Sequence, residues 1–241
     1  MSGGIWVAAA GATAQVNELD NAANNLVNVN TVGYRRQESV FRSAMTDAMN
    51  RGRLQSGQMA TVDTSSVNTQ EGALQRTGRT LDAAIRGDGY FAVQTARGVR
   101  YTRAGAFDVG EDGSLQTRAG MPVLDSNLSP IRVPRDGRDF RIEPDGTILN
   151  GTSSVGKLGF FTFSSPGSLF ADGGNVLRST VPGTPAEAKL EPGALESSNV
   201  NIAQGLVSIV TASRSFEACQ RAIEAFKTAD SKAATVIMGK E

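Results

Sequence analysis

The sequence has no histidine and a single cysteine, Cys219. Without histidine the chain lacks the usual general base near neutral pH, Ser-His-Asp and Cys-His activation of a nucleophile, and histidine metal ligands. One cysteine excludes an intrachain disulfide and a thiolate metal cluster. We therefore expect no catalytic residues, no cofactor and no metal site, and the sequence predicts a protein that is not an enzyme.

The chain also lacks an excess of charge, because 24 Lys and Arg residues balance 24 Asp and Glu residues. No global field favours a nucleic acid or an anionic membrane. Arg35 and Arg36 follow Tyr34, but two arginines in a neutral chain are weak evidence, so we expect no nucleic-acid partner. The first apolar run, residues 5–10, is far shorter than the ~20 residues that cross a bilayer. The N-terminus also lacks the basic start and apolar region of a secretory signal, so we expect neither a membrane span nor a cleaved signal peptide.

Small and apolar residues recur near the N-terminus in alternating steps of four and three, which is the spacing of a heptad seam. These residues are Ile5, Ala9, Ala12, Val16, Leu19, Ala23 and Leu26. An asparagine stripe with similar steps lies on roughly the other side of the helix, at Asn17, Asn21, Asn24 and Asn28. Only Glu18 and Asp20 are charged before Tyr34, whereas a solvated amphipathic helix carries a charged outer face. The pattern predicts a helix that other protein covers on most sides.

The C-terminal segment repeats this rhythm. The residues concerned are Ile202, Leu206, Ile209, Ser213, Phe216, Gln220 and Ile223. No charged residue occurs between Asn199 and Ser213, and Ser198 or Asn199 can cap the start of a helix. The simplest arrangement pairs the two terminal helices as a coiled coil.

The middle of the chain is rich in β-branched and aromatic residues in short runs, which is typical of strands. The runs are 90–94, 99–103, 107–109, 131–133 and 158–163. Gly98 and the two Asp-Gly pairs at 112–113 and 145–146 lie between or beside such runs and predict tight turns. The pattern F-x-(V/I)-x-x-D-G-(S/T)-(L/I) occurs at 107–115 and again at 140–148. It predicts one hairpin used twice.

Together these patterns predict an α+β protein. Residues 1–34 and 196–241 are expected to form a coiled-coil-like domain of paired helices, and residues 35–75 an extended connector. Residues 76–190 are expected to form a β-rich domain inserted between the two helices.

Several of these segments resemble the bacterial flagellar rod and hook proteins. Residues 23–35 read ANNLVNVNTVGYR and resemble the N-terminal signature of that family. The segments 87–93 (GDGYFAV), 101–107 (YTRAGAF), 112–113 and 120–124 (GMPVL) resemble its β-rich body, and 195–201 (LESSNVN) resembles the start of its C-terminal helix. Two departures are Gly205, where the family often has Glu, and 213–217 (SRSFE), where it usually has Q-R-x-Y-E.

The resemblance implies a structural subunit that polymerises helically into the hollow drive shaft of the flagellar basal body and transmits torque from motor to hook. The implied partners are copies of the chain, other rod proteins and the flagellar type III export apparatus, with the periplasmic rod as the location. The opening residues and the length resemble the proximal rod proteins more than the distal ones. The residues that we expect to pack between subunits are Ile5, Ala12, Val16, Leu19, Asn21, Asn24, Asn25, Leu26, Asn28, Ile202, Leu206, Ile209, Phe216 and Ile223.

Three alternatives stay open at this point. A distal rod subunit would share the same motifs. A ligand-binding β-module with helical dimerisation arms would have a discrete pocket within residues 87–163 and would form a closed dimer. A hydrolase that uses only carboxylates would need two acids that converge in one cleft.

Overall fold

A computed structural model describes residues 2–43, 61–134, 137, 139–187 and 189–238, and the chain divides into two compact units. The helical unit comprises Met1–Leu26, Glu38–Ser65 and Asn201–Glu241. The β unit comprises Val27–Gln37 and Ser66–Val200. Residues 44–60 of the predicted connector lie outside the described residues, and the domain boundaries expected from the sequence stay a prediction.

The described residues contain two α-helices, α1 at Ser2–Val27 and α2 at Ile202–Met238. Asn201 caps α2, because its side-chain oxygen accepts a hydrogen bond from the Gln204 amide at 3.1 Å. The prediction that Ser198 or Asn199 caps this helix is therefore wrong. Neither described helix is both long enough and apolar enough to cross a bilayer.

The α+β class agrees with the structure, but the predicted coiled-coil pairing of the terminal helices is wrong. A coiled coil buries its heptad residues, whereas three of the predicted seam residues, Val16, Ile202 and Leu206, are 40%, 52% and 50% exposed. The physical reason is that small residues, one position earlier in the heptad rhythm, lie where the two helices approach each other. A shift of one residue turns a helix face by about 100°.

The largest sheet of the β unit has six strands in the order β13-β14-β6-β5-β12-β15. Its strands are β5 (Tyr90–Thr95), β6 (Gly98–Thr102), β12 (Phe160–Thr162), β13 (Leu169–Ala171), β14 (Val176–Ser179) and β15 (Thr184–Pro185). All of its neighbouring strands are antiparallel. The predicted runs 90–94, 99–103 and 158–163 are confirmed as strands of this sheet, with ends shifted by one or a few residues.

Four two-stranded ladders and one three-stranded sheet complete the described strands. The ladders are β1 (Gln37–Ser43) with β2 (Thr61–Val67), β3 (Leu74–Arg76) with β17 (Ala194–Glu196), β4 (Ala83–Arg86) with β16 (Lys189–Pro192), and β7 (Phe107–Val109) with β8 (Leu115–Thr117). The three-stranded sheet contains β9 (Phe140–Ile142), β10 (Thr147–Asn150) and β11 (Ser153–Lys157). The run 131–133 forms only an isolated bridge, in which Arg132 pairs with Ser114, so its prediction as a strand is wrong.

Strand β5 separates two apolar cores. Successive side chains of a strand point to opposite faces of the sheet, and β5 is buried on both. Phe91 and Val93 belong to a core that includes Phe107, Leu115 and Ile148. The alternate residues Tyr90 and Ala92 belong to a second core, which includes Tyr101, Leu124, Phe161, Leu169 and Leu177. The uninterrupted apolar sequence of this strand follows from its central place between the two cores.

The predicted duplicated hairpin is confirmed. In the first copy Val109 pairs with Leu115, and in the second Ile142 pairs with Ile148. The turns match as well, because Gly113 and Gly146 adopt φ values of 76° and 86°. In each turn an aspartate, Asp112 or Asp145, accepts hydrogen bonds from the backbone N–H and from the hydroxyl group of the residue two positions later.

Candidate assembly surfaces and the motif junction

The two terminal helices approach each other through small residues. A methyl group placed on Gly4 would lie 2.7 Å from the ring of Phe226, and one placed on Gly11 would lie 3.3 Å from the sulfur of Cys219. Farther along, Leu26 lies 4.0 Å from the corresponding position on Gly205. The helices are antiparallel, and glycine allows the close approach because it has no Cβ.

Small residues in alternating steps of three and four are among the less exposed positions of α2. They are Gly205, Ser208, Ala212, Ser215, Cys219 and Ala222. Of these, Ala212 is 2% exposed and the others are half-buried. Of the predicted seam residues of α2, Ile202, Leu206 and Gln220 are exposed, whereas Ile209, Ser213, Phe216 and Ile223 are half-buried like the small residues.

Large apolar side chains consequently face solvent on both helices. On α1 these are Trp6, Val7, Val16 and Val27, and on α2 they are Ile202, Leu206, Val207, Val210 and Phe226. Trp6 is 72% exposed and Val207 is 65% exposed. Contiguous exposed apolar residues mark interaction surfaces in soluble proteins, so these faces are candidate assembly surfaces.

The residues predicted to pack between subunits fall into three classes of exposure. Those exposed in the single chain are Val16, Asn24, Ile202 and Leu206. Those half-buried are Ile5, Ala12, Leu19, Asn21, Leu26, Asn28, Ile209, Phe216 and Ile223. Asn25 is buried. Their role between subunits stays a prediction, to which Trp6, Val7, Val207 and Val210 are added.

The N-terminal and C-terminal sequence motifs meet inside the β unit. We call this the motif junction, formed by residues 32–36 and 194–199 with the residues that they contact. The Gly33 amide donates to the Glu196 carbonyl at 2.8 Å, and the Arg36 amide donates to the Asn199 side-chain oxygen at 2.7 Å. Gly33 adopts a φ of 66°, and a methyl group on it would lie 2.3 Å from the backbone nitrogen of Ala104. The glycine of the N-terminal motif is therefore required by both its conformation and its surroundings.

A buried carboxylate joins two guanidinium groups at the motif junction. Glu196 lies 2.7 Å from Arg35 and 3.3 Å from Arg103, and these three side chains are 1–2% exposed. Glu196 also accepts a hydrogen bond from the Gly72 amide at 2.8 Å, and Arg103 donates to the Gly87 carbonyl at 2.8 Å. The guanidinium of Arg103 lies 5.0 Å from the ring centre of Tyr90, a cation–π arrangement.

Burial dominates the electrostatics of this cluster. Desolvation lowers the pKa of Arg35 from its ordinary value, and the nearby Glu196 carboxylate opposes that change. Burial likewise raises the pKa of the Tyr90 phenol, while the positive charge of Arg103 opposes the rise. Among the described residues, Arg35 Nε, Arg35 Nη2 and Arg103 Nε have no hydrogen-bond partner. Arg35 also donates a hydrogen bond to the Gln70 carbonyl. One carboxylate and two backbone carbonyls thus hold the two guanidinium groups, and Arg35 is buried rather than available to a nucleic acid.

The sequence contained no clear signal for this cluster. Arg35 and Glu196 each lie within a recognised motif, but their pairing depends on β17 lying beside β3. Arg103 ends a predicted strand and carried no chemical expectation. An acid in an otherwise apolar strand, as at Ala194–Glu196, was the only local indication.

A surface depression of about 450 Å³ lies between the two copies of the hairpin. Its lining residues are Leu81, Val109, Gly110, Glu111, Gly137 and Phe140. Glu111 is the one carboxylate among these lining residues, so the part of the lining that the structure describes contains no pair of acids of the kind a carboxylate hydrolase needs. Elsewhere in the described part of the chain, no group of three or more Cys, Asp or Glu residues is arranged to hold a metal ion.

Comparison with known proteins matches two segments of the chain to one family. Residues 84–150 match the flagellar hook protein FlgE/F/G D1 domain, and residues 191–236 match the flagellar basal body rod FlgEFG protein C-terminal domain. The chain is 31% identical over 232 residues to the flagellar basal-body rod protein FlgG of Bacillus subtilis, covering 86% of this chain and 88% of that protein. The chain belongs to the flagellar basal-body rod protein family.

Other rod-family relatives carry the name FlgF. The protein of Caulobacter vibrioides is 32% identical over 229 residues, covering 92% of each chain. The protein of Rhizobium meliloti is 31% identical over 222 residues, covering 90% of each. FlgF and FlgG relatives therefore match this rod-family chain at the same level of identity.

The matched segments contain two of the three residues of the buried ion cluster. The C-terminal match begins at Glu191 and includes Glu196, and the D1 match includes Arg103 and the first hairpin. Two regions separated in the rod-family sequence thus share a single buried ion cluster.

Proposed function

We propose that the chain is a structural subunit of the flagellar basal-body rod, which polymerises helically into a hollow shaft and carries torque from the motor to the hook. The observation that carries the proposal is the outward orientation of Trp6, Val7, Leu206 and Val210 on the terminal helices. Full burial of a large aliphatic or aromatic side chain is favourable by about 1.5–3 kcal/mol. Neighbouring subunits would provide that burial.

The proposed polymer requires contacts that do not close on themselves. A helical filament is built from heterologous contacts, in which two different surfaces of the subunit meet. The helical unit has large apolar side chains on each of its two helices, and this supports such an arrangement. A closed dimer with a ligand-binding β unit would need only one such surface.

The proposal extends to partners and location. Copies of this chain and other rod proteins are the proposed neighbours, and the periplasmic part of the basal body is the proposed site. We assign export to the flagellar type III apparatus, as the family resemblance implies. The opening residues Ser2 to Trp6 favour the proximal rod, while relatives named FlgG and FlgF support the distal and proximal positions equally.

A tagged subunit in purified basal bodies tests this proposal. The Gly173–Gly174 turn is suitable for a short epitope, because a Cβ on either residue would meet no atom within 4 Å. We expect deletion of the gene to abolish motility, the tagged chain to restore it, and antibody-labelled images to place the epitope on the rod. The untagged chain is the control for labelling. Motile cells after deletion, or basal bodies without the epitope, would contradict the proposal.

A further inference from the structure

The helical unit carries two separate apolar patches. The α1 patch consists of Trp6 and Val7, which are 72% and 59% exposed. The α2 patch consists of Ile202, Leu206, Val207 and Val210, which are 50–65% exposed. The α1 patch is dominated by one broad aromatic ring, whereas the α2 patch is a ridge of branched aliphatic side chains. The two patches therefore differ in shape as well as in size.

The antiparallel register places these patches at opposite ends of the helical unit. Gly4 lies beside Phe226 and Gly11 beside Cys219, so Val7 lies at the level of Ile223. Leu26 lies beside Gly205, so the α2 patch is at the other end. The axial distance from the level of Ile223 to Val210 is about 20 Å at ~1.5 Å per residue.

Charged residues separate the two patches. Residues 1–17 and 199–213 contain no charged side chain. Between the patches along α2, Glu217 and Arg221 are 60% and 69% exposed and form an ion pair of 3.8 Å. Each patch is therefore an uncharged surface, and the Glu217–Arg221 ion pair lies between the two along α2.

We propose that the α1 patch of one copy packs on the α2 patch of the next copy, so that copies join head to tail. This inference rests on the proposed rod function and names the surfaces that meet. Trp6 is the anchor, since tryptophan is among the residues that contribute most to binding when an interface buries them. A contact between two α1 patches would leave the four residues of the α2 patch in water and would close a dimer.

The size of the patches sets the strength of the contact. Burying a large aromatic side chain removes on the order of 150–250 Å² of surface from water. The six partly exposed side chains of the two patches therefore supply about 600 Å² of buried surface. A stable pair of proteins buries at least about 1,200 Å². A single head-to-tail contact is consequently weak, and it holds in an assembly in which each copy has several neighbours.

Directed crosslinking tests the pairing of the patches. Cys219→Ala removes the single cysteine, and Val7→Cys or Val210→Cys is then introduced in separate chains. The mixed chains at high concentration are expected to form the V7C–V210C product in excess over either homodimer. Asp20→Cys mixed with Glu217→Cys is the matched control, since both positions are exposed on the same helices but lie outside the patches. A predominance of either homodimer, or equal crosslinking of the control pair, overturns the proposal.

The fluorescence of Trp6 gives an independent measurement, because it is the only tryptophan. We expect its emission to move to shorter wavelength as the concentration rises, and Val210→Asp to abolish this shift without changing Trp6 itself. Val181→Asp is the control, because Val181 is exposed on the β unit. A shift that Val210→Asp leaves intact contradicts the proposed contact. If the Val210→Asp chain still polymerises and restores motility, the rod function stands and only the pairing of the patches is wrong. If the wild-type chain neither polymerises nor restores motility to cells that lack the gene, both the rod function and the pairing are wrong.

Discussion

Arg35 and Glu196 form a 2.7 Å ion pair in which both side chains are 1% exposed. The pair connects the end of the N-terminal motif to the start of the C-terminal motif within the β unit. Arg103 lies 3.3 Å from the same carboxylate, so the single negative charge of Glu196 forms ion pairs with two guanidinium groups. Removal of that carboxylate leaves both buried cations without their ion-pair partner.

Glu196→Ala is expected to lower the free energy of unfolding by about 3–5 kcal/mol, the usual cost of removing one partner of a buried ion pair. Urea denaturation followed by circular dichroism measures the effect. The control is Glu143→Ala, whose exposed ion pair with Arg141 is expected to contribute less than about 1 kcal/mol. Equal stability losses in the two variants would show that the buried cluster has no special role.

Gly33→Ala is expected to destabilise the β unit strongly. Its φ of 66° disfavours alanine, and the new methyl group would lie 2.3 Å from the Ala104 nitrogen. Gly120→Ala is the matched control, because Gly120 has a φ of 77° and open space around it. Only the backbone cost of about 1–2 kcal/mol applies there. Thermal unfolding of both variants measures the difference, and a loss at Gly33 no greater than that at Gly120 would exclude the predicted clash.

The sequence was sufficient to predict local structure but not the faces of the helices. The duplicated hairpin is recoverable because Asp-Gly turns and flanking apolar residues act over a few positions. The helix pairing was misread because heptad spacing is present in two adjacent stripes, one containing Leu206 and the other Gly205. Periodicity alone does not show which stripe faces the partner helix. The Arg35–Glu196 pair was not predictable, since it depends on strand pairing between distant segments.

Leu26→Asp is expected to prevent assembly while the β unit still folds. The Leu26 side chain contacts the position of Gly205 on α2, and a lone charge is unfavourable in such a contact. Motility of cells that carry the variant measures assembly, and circular dichroism measures folding. Leu26→Met conserves volume and is the control, with an expected cost below about 1.5 kcal/mol. Normal motility with Leu26→Asp would exclude a role of α1 in assembly.

The stability of the protein is expected to fall in acid. Hydrogen bonds from the Ser114 hydroxyl and amide hold the pKa of Asp112 below its ordinary value, and the Thr147 amide and hydroxyl do the same for Asp145. Because folding lowers these pKa values, the stabilisation is complete above the unfolded pKa of about 4. It is lost as the pH falls through the lower, folded pKa.

Urea denaturation between about pH 7 and pH 2 checks this dependence. We expect the urea concentration at the midpoint of unfolding to be constant down to about pH 5 and to decline below about pH 4. Ser114→Ala should raise the pKa of Asp112 in an NMR titration, whereas Ser126→Ala, in another exposed turn, should leave it unchanged. A constant midpoint throughout the acid range would contradict the prediction.

Limited proteolysis of the monomeric chain is expected to remove the terminal helices before it cuts residues 75–190. The helices leave large apolar side chains without neighbours, and local opening is easiest where few apolar contacts are made. Mass spectrometry of the fragments over time measures the order of cleavage. A first cut within the β unit, with both ends intact, would contradict this expectation.

Strands β16 and β17 come from the last part of the β unit, yet they complete ladders begun by β4 and β3 near its start. During synthesis on the ribosome, the ladder hydrogen bonds of β4 and β3 can therefore form only after residues 189–196 have been synthesised. Glu196 must also emerge before Arg35 and Arg103 have a counter-ion. A nascent chain that stops short of these residues has no completed β unit, so its maturation is tied to nearly the full length of translation.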